Sequence, residues 1–321
     1  MTLETSLGPG KEFDRIRAMA ERWRERAHGL GDDCAFLEAG GQRLAISIDL
    51  SIEGVHFRRE WMKPAEIGYR AAAAAFSDLA AVAAQPMALL LSIGVPAAPG
   101  EDVLLALADG VGAAAADAGA LIVGGDLSSS ERLVVDCCVI GRADHEVRRR
   151  GARPGDILVV TGALGGPLAA LTAWQAGRTP AAEARERFVH PAQRHDAARW
   201  LAARGARAMI DVSDGLGADL GHLLAAGGVG ARIEVERIPV LAAARASAAD
   251  LGEPAWRFAA RSGEEYELLA ALPPEVSDAD LAEAPVPLAR IGVVEAEPGA
   301  RGLEQGRGVA LPGGWDHFGA A

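Results

Sequence analysis

Residues 71–84, "AAAAAFSDLAAVAA", carry a single charged side chain, Asp78, in a run of alanines with Phe76 and Leu79. Alanine is the strongest helix former, and a helix with so little polar surface has to be covered on most sides, which calls for a layered structure around it. That covering strands Asp78. A buried carboxylate is tolerated when it is paired, hydrogen-bonded or bound to metal, and no Lys or Arg lies within one helical turn. An aspartate on an exposed alanine face is the competing reading; ligation of a metal is the one that explains its neighbours.

The layers are visible around this helix. "LAISIDL" (44–50), "LLLSIGV" (89–95), "LIVGG" (121–125) and "LVVDCCVIG" (133–141) are short apolar or β-branched runs bounded by turn residues, which predicts strands. Two alanine-rich segments, 64–86 and 99–119, lie between them and read as helices. "DLSSSER" (126–132) is a link of hairpin length. Apolar periodicity stops at "GRADHEVRRRGARPGD" (141–156), the best boundary, and predicts a domain of residues 1–143 and another of 144–321. The second domain opens with the strand "ILVVTG" and a glycine-rich turn into a helix, then shows strands at "AMIDV", "GARIEVE", "EYELLAAL" and "LARIGVV". The Gly/Pro-rich tail from residue 295 reads as irregular. The fold class expected is two-domain α/β (α+β), with mixed sheets flanked by helices.

Composition narrows the partners. A net charge of -12 disfavours nucleic acid, so the basic runs at 22–26 and 148–150 read as a solvated helix face and a loop. No run approaches the roughly 20 apolar residues of a membrane helix, and the N-terminal stretch has no secretory pattern. Cys34, Cys137 and Cys138 form no even framework. Together these predict a cytoplasmic chain with no nucleic acid or membrane partner.

Carboxylates recur beside Gly or Ser in apolar settings: "GLGDDCA" with Asp32 and Asp33, "SIDLSIEGVHF" with Ser47, Asp49, Glu53 and His56, "GGDLSSS" with Asp126, and "IDVSDGL" with Asp211, Ser213 and Asp214. Asp211 and Ser213 also suit a strand end followed by a helix cap; four copies are harder to assign to caps. Oxygen-only donors without a Cys or His pair suit hard cations, Mg2+ before Ca2+. Several Mg2+ ions gathered by carboxylates call for a polyanion to complete their shells, and a nucleoside triphosphate is the common one. The chain has no G-x-x-x-x-G-K loop, and "TGALGG" (161–166) is more simply a tight turn than a dinucleotide fingerprint. "VGGD" would let backbone approach phosphate at Gly125 while Asp126 reaches a metal. The loop 51–64 has the length of a binding loop and carries His56; a lone histidine is also a common core residue. Glu264 and Glu265 enter a strand after a glycine, where adjacent acids are usually solvated. Trp315 in "GGWDHF" offers a flat face for an aromatic or cationic ring, or a cap on the core.

In order, "KEFDRI", "GLGDDCA", "SIDLSIEGVHF", "FSDLAAVAAQP", "IVGGD", "RRGARPGD", "VTGALG", "MIDVSDGLGADLGH", "GARIEVERIP", "SGEEYELL" and "GWDHF" resemble the thiamine-monophosphate kinase family, in the superfamily named after aminoimidazole ribonucleotide synthetase. The resemblance implies a two-domain homodimer that transfers the γ-phosphoryl group of ATP to thiamine monophosphate with several Mg2+ ions, by direct transfer with no catalytic acid or base. It implies metal ligation by Asp33, Ser47, Asp49, Asp78, Asp126, Asp211 and Asp214. ATP would meet Gly125, Asp126, Arg149 and Ser213, and thiamine monophosphate would meet His56, Glu264 and Trp315. Asp219 has no role in it and reads as an ordinary helix residue. Ile48 and Leu127 stand where the family usually has Thr, and Glu265 where it has Asp.

Two other readings stay open. Another ATP-using member of the superfamily is the nearer; selenophosphate synthetase needs a reactive Cys or selenocysteine with a Lys near the N-terminus and the hydrogenase maturation factor a C-terminal Cys, and this chain has neither. A non-catalytic nucleotide-binding homologue is the other, for which Ile48 and Leu127 leave room.

Overall fold

A computed structural model describes residues 7–97 and 100–318. Residues 1–6 of the N-terminal stretch and Pro99 at the head of the second alanine-rich segment lie outside the described residues. The first domain runs α1 (Lys11–Trp23), β1 (Ala35–Ala39), β2 (Gln42–Ile52), α2 (Pro64–Ala81), β3 (Gln85–Val95), α3 (Glu101–Ala118), β4 (Leu121–Ser129) and β5 (Val134–Arg142). Its sheet has the order β1-β2-β5-β3-β4, antiparallel except for the β3/β4 pair.

The alanine-rich helices cover one face of this sheet. In α2, Ala71 to Ala75, Phe76 and Leu79 are all buried, as their composition predicts. The two helices approach closely where glycines face each other: a Cβ on Gly68 would lie 2.0 Å from the Leu107 carbonyl oxygen, and one on Gly110 1.9 Å from that of Ala65. The other sheet face carries exposed Leu37, Ile48 and Leu50, and β4 is exposed along its whole length.

The second domain runs β6 (Ile157–Thr161), α4 (Gly166–Gln175), α5 (Ala182–Val189), α6 (His195–Ala203), β7 (Ala208–Asp211), α7 (Leu216–Gly227), β8 (Gly230–Glu234), α8 (Ala242–Leu251), α9 (Ala255–Ala260), β9 (Leu268–Leu272), α10 (Asp278–Leu281), β10 (Leu288–Glu295), β11 (Gly299–Glu304) and β12 (Arg307–Val309). Its seven strands are ordered β12-β11-β8-β10-β6-β9-β7, with only β8 and β11 parallel. β6, β7 and β9 are buried at every residue, which explains why their sequences are apolar up to the terminal Thr161 of β6 and Asp211 of β7. α2 touches β2 and β5 on one side and β7, α5 and α6 on the other. It is a central layer, and Asp78 therefore faces the junction of the two domains.

Three sequence expectations need correction. β4 and β5 are not a hairpin: β3 lies between them, because β5, with Val135, Cys137 and Val139 buried, is a central strand and glycine-rich β4 an edge. β1 was not foreseen, being short and largely exposed. The tail is not irregular throughout, since β11 and β12 add two strands to the sheet. Among the described residues no helix is long and apolar enough to cross a membrane.

Candidate active site

Strand alternation sends Ser47 and Asp49 of β2 to the helix-covered face and Ile48 to the other. Ser47 Oγ donates to Asp78 Oδ2 (2.5 Å) on α2. One residue earlier on the helix, Ser77 Oγ donates to Asp211 Oδ2 (2.6 Å) at the end of β7, so the two domains are tied together at the carboxylates themselves. Asp33, in the loop before β1, completes the group: oxygens of Asp33, Asp78 and Asp211 lie within 4.8 Å of one another. These acids come from three distant stretches of chain, and their separate strand-end and helix contexts converge on one point.

Burial and mutual repulsion set their chemistry. Asp211 is pushed up to about 7 by burial and then by Asp33. Asp49 is pushed up to about 6 by burial, against the opposing field of Arg70. Asp78 rises well above the carboxylate range through burial, Asp211, Asp33 and Asp49. Carboxylates placed like this hold protons until a cation replaces them. Hard oxygen donors at this spacing fit Mg2+.

Arg149 is the neighbouring cation. Its Nε and Nη2 grip Asp33 at 3.1 and 2.7 Å, and its backbone N–H donates to Asp32 Oδ1 (2.9 Å). The run at 148–150 is a loop, as expected, but its middle residue is part of the site.

The turn after Asp211 is held from two directions. Asp219 Oδ2 accepts the N–H groups of Asp214 (3.1 Å) and Gly215 (2.9 Å). It is no ordinary helix residue, since it caps the turn that presents Asp214. The Trp315 N–H donates to the Asp214 carbonyl (2.9 Å), and a Cβ on Gly314 would lie 2.4 Å from that same oxygen, so only glycine permits the approach. Asp214 is itself pushed up to about 6, chiefly by burial.

A cavity of about 710 Å³ opens over these groups, within the range of small-molecule sites. Asp49, Asp78, Asp211, Ser213 and Asp214 line one part, and His56, Glu264, Trp315 and Trp61 another. His56 Nδ1 accepts the Ile52 N–H (3.0 Å), which leaves the ring proton on Nε2, and burial lowers its pKa. The His317 ring stands 5.2 Å from that of His56. Glu264 has φ 60° and donates its N–H to the Ser213 carbonyl (2.6 Å). Glu265 is not solvated: its Oε1 accepts the Gly165 N–H (2.5 Å), fixing the "TGALGG" turn, and burial pushes it up to about 8.

Gly125 and Asp126 are the sequence candidates that one chain does not bring here. Gly125 pairs with Leu91, Leu91 with Cys137 and Cys137 with Asp49, so at the usual inter-strand spacing they stand about 14 Å from Asp49. Asp126 pairs with Ser92, in line with Asp136 and Leu50, and so faces the sheet surface opposite Asp49. Arg70 and Ser77 belong to the site without having been singled out, since their roles depend on partners more than 100 residues away; the reading of Asp219 as an ordinary helix residue fails because its role depends on a turn whose shape the sequence does not print.

Residues 31–143 match the family described as AIR synthase related protein, N-terminal domain, and residues 153–303 its C-terminal domain. The chain is 36% identical to the thiamine-monophosphate kinase of Mycobacterium tuberculosis over 91% of its length and 86% of that protein's. It is 31% identical to that of Pyrococcus horikoshii, over 96% of each. It is also similar to a solved structure of AaThiL complexed with AMPPCP and TMP, with a TM-score of 0.86 and 28% identity over 96% of this chain and 97% of that one. The hydrogenase maturation protein HypE in complex with ATP shares the fold, at a TM-score of 0.74, 22% identity and 95% of each chain.

Proposed function

The chain belongs to the thiamine-monophosphate kinase family of AIR synthase related proteins, and we propose that it transfers the γ-phosphoryl group of ATP to thiamine monophosphate. The observation that carries this reading is the convergence of Asp33, Asp78 and Asp211 from both domains beside a cavity whose other side presents Glu264 and Trp315. Mg2+ ions held by these acids, with Ser47, Asp49 and Asp214, would neutralise the charge of two approaching phosphate groups.

The chain's own residues need only bind and align. A phosphate monoester has its second pKa near about 6, so the acceptor oxygen is already ionised at neutral pH and no general base is called for. Ser213 and Arg149 stand beside the carboxylates for the nucleotide. His56, neutral with its proton on Nε2, is a donor for a phosphate oxygen. Trp315 and Glu264 suit a cationic ring.

Gly125 and Asp126 take part through a homodimer in this reading. The exposed apolar sheet face with Leu37, Ile48 and Leu50, continuous with β4, supports a second copy seated there; it would carry its own Asp126 toward the first copy's carboxylates. Residues 1–143 would thus supply the dimer contact and most ligands, and 144–321 the remainder, in a cytoplasmic enzyme. Ile48 and Leu127, 67% and 59% exposed, take no ligand from the Asp33–Asp78–Asp211 group, which weakens the non-catalytic alternative. Incubation with ATP, Mg2+ and either thiamine or thiamine monophosphate tests the reading by chromatography: the diphosphate forms from the monophosphate only. Turnover of thiamine itself, or of neither, refutes it.

A further inference from the structure

Arg70 is a cation set into the interior, 4% exposed. It occupies the same face of α2 as Asp78, since Arg70, Ala74 and Asp78 follow the i, i+4, i+8 pattern. Asp78 stands at the carboxylate group, Ala74 lines the cavity, and Arg70 lies two turns earlier, about 12 Å along the axis. Asp78 and Arg70 thus stand at two ends of one helix face, with Ala74 between them.

The partners of Arg70 come from the other domain. Its Nη2 pairs with Glu264 Oε1. Its Nη1 donates to the Phe188 carbonyl (2.5 Å), and its guanidinium lies 3.9 Å from the centre of the Phe188 ring and 5.9 Å from that of Tyr266. Arginine's planar fork meets a carboxylate, a carbonyl and an aromatic face together, a task lysine can do only in part, by its charge. Glu264 in turn sits in the left-handed region that a glutamate seldom adopts, with Tyr266 likewise at φ 53°. Its N–H is bonded to Ser213, between Asp211 and Asp214. One line of contacts therefore runs from α2 through Arg70 and Glu264 to the turn that presents the second domain's acids.

We propose that Arg70 is a positioning residue for the acceptor: it holds Glu264 by one carboxylate oxygen, so that the other meets the acceptor's cationic ring at a fixed distance from the Asp33–Asp78–Asp211 group. This rests on the kinase reading above. Arg70 and Glu264 then act as one unit.

The test is steady-state kinetics and calorimetry on the full chain. Arg70→Met and Glu264→Gln are each expected to raise KM for thiamine monophosphate about tenfold or more, with KM for ATP changed less than about threefold, the signature of lost acceptor binding. The double variant is expected to be little worse than either single one, and Arg70→Lys to recover part of the loss. If Arg70→Met does not fold, Arg70→Lys and Glu264→Gln carry the same comparison. An unchanged acceptor KM in folded variants, a loss confined to kcat, or additive effects would overturn the proposal. Calorimetric binding of thiamine monophosphate that depends on Arg70 in a protein that forms no diphosphate would refute the kinase reading and leave Arg70's role standing. Full turnover with unaltered acceptor KM in the single variants would do the reverse.

Discussion

Asp78 of the first domain and Asp211 of the second hold carboxylate oxygens within 4.8 Å of each other, each steadied by a serine, Ser47 and Ser77. Two like charges brought this close are costly unless a cation or proton intervenes, so their function and their stability oppose each other. Asp78→Asn separates the two: it relieves the repulsion and removes a proposed metal ligand. Its melting temperature without Mg2+ at pH 7.5 is expected to equal or exceed that of the wild type, while kcat falls at least about a hundredfold, about 2.7 kcal/mol of barrier. Wild-type turnover in this variant would remove Asp78 from the site.

The pH dependence follows from the same groups. Asp49, Asp211 and Asp214 are raised to about 6, about 7 and about 6 from 3.8. A carboxyl raised in this way stabilises the fold fully below about pH 4 and loses that contribution as pH climbs through 6 to 7. Mg2+ held by these acids, as proposed, would compete with those protons. Thermal melts are expected to show the Mg2+-free protein losing stability from pH 5 to 7.5, and added Mg2+ raising the melting temperature at pH 7.5 by at least about 3 °C more than at pH 5. Equal Mg2+ shifts at both pH values would contradict metal binding at these acids.

Asp219 acts through Asp214. Asp219→Ala leaves the buried Gly215 N–H and the half-buried Asp214 N–H without an acceptor, at a cost of about 1–3 kcal/mol, and frees the turn that Trp315 also grips. Chemical denaturation is expected to show that loss together with reduced kcat, whereas Asp219→Asn, which keeps an acceptor oxygen, stays close to the wild type. An alanine variant as stable and active as the wild type would mean the turn holds itself.

If Asp126 serves the site of a second copy, subunits can complement one another. Asp78→Asn and Asp126→Asn are each expected to be inactive alone. A mixed dimer has one site that combines the intact carboxylates of one chain with the intact Asp126 of the other, so mixing after mild dissociation restores up to about half the activity per mixed dimer, since one of its two sites is whole. Mixtures as inactive as their components would put Asp126 in the same chain's site, and full activity of Asp126→Asn alone would put it in none.

The sequence made the acids legible and left their partners hidden. Asp78 and Asp211 stand out because a charge inside an apolar run contradicts its surroundings, while Ser47 and Asp49 are marked by the acid-and-serine run "SIDLSIE" and gain a metal role only from the family resemblance. Arg70 does not stand out: an arginine in a helix reads as a solvated residue until Glu264, 194 positions later, is folded against it. The same long separation hides Arg149 on Asp33. The strand runs of the first domain were readable, yet their order was not, since a four-residue link between β4 and β5 can turn back or cross a neighbour, and only the burial of β5 on one face and the bareness of β4 decide it. β11 and the edge strand β12 escaped because short, glycine-rich strands lack an apolar signature.

The most direct measurement uses ATP labelled at the γ-phosphate, with Mg2+, thiamine monophosphate and the wild-type protein, quenched within one turnover and separated by chromatography. The label is expected to leave ATP and appear in the terminal phosphate of thiamine diphosphate, with free phosphate at the level of an enzyme-free control and no transfer by Asp78→Asn. Label released as free phosphate, or retained in ATP while the monophosphate is bound, would contradict the kinase reading.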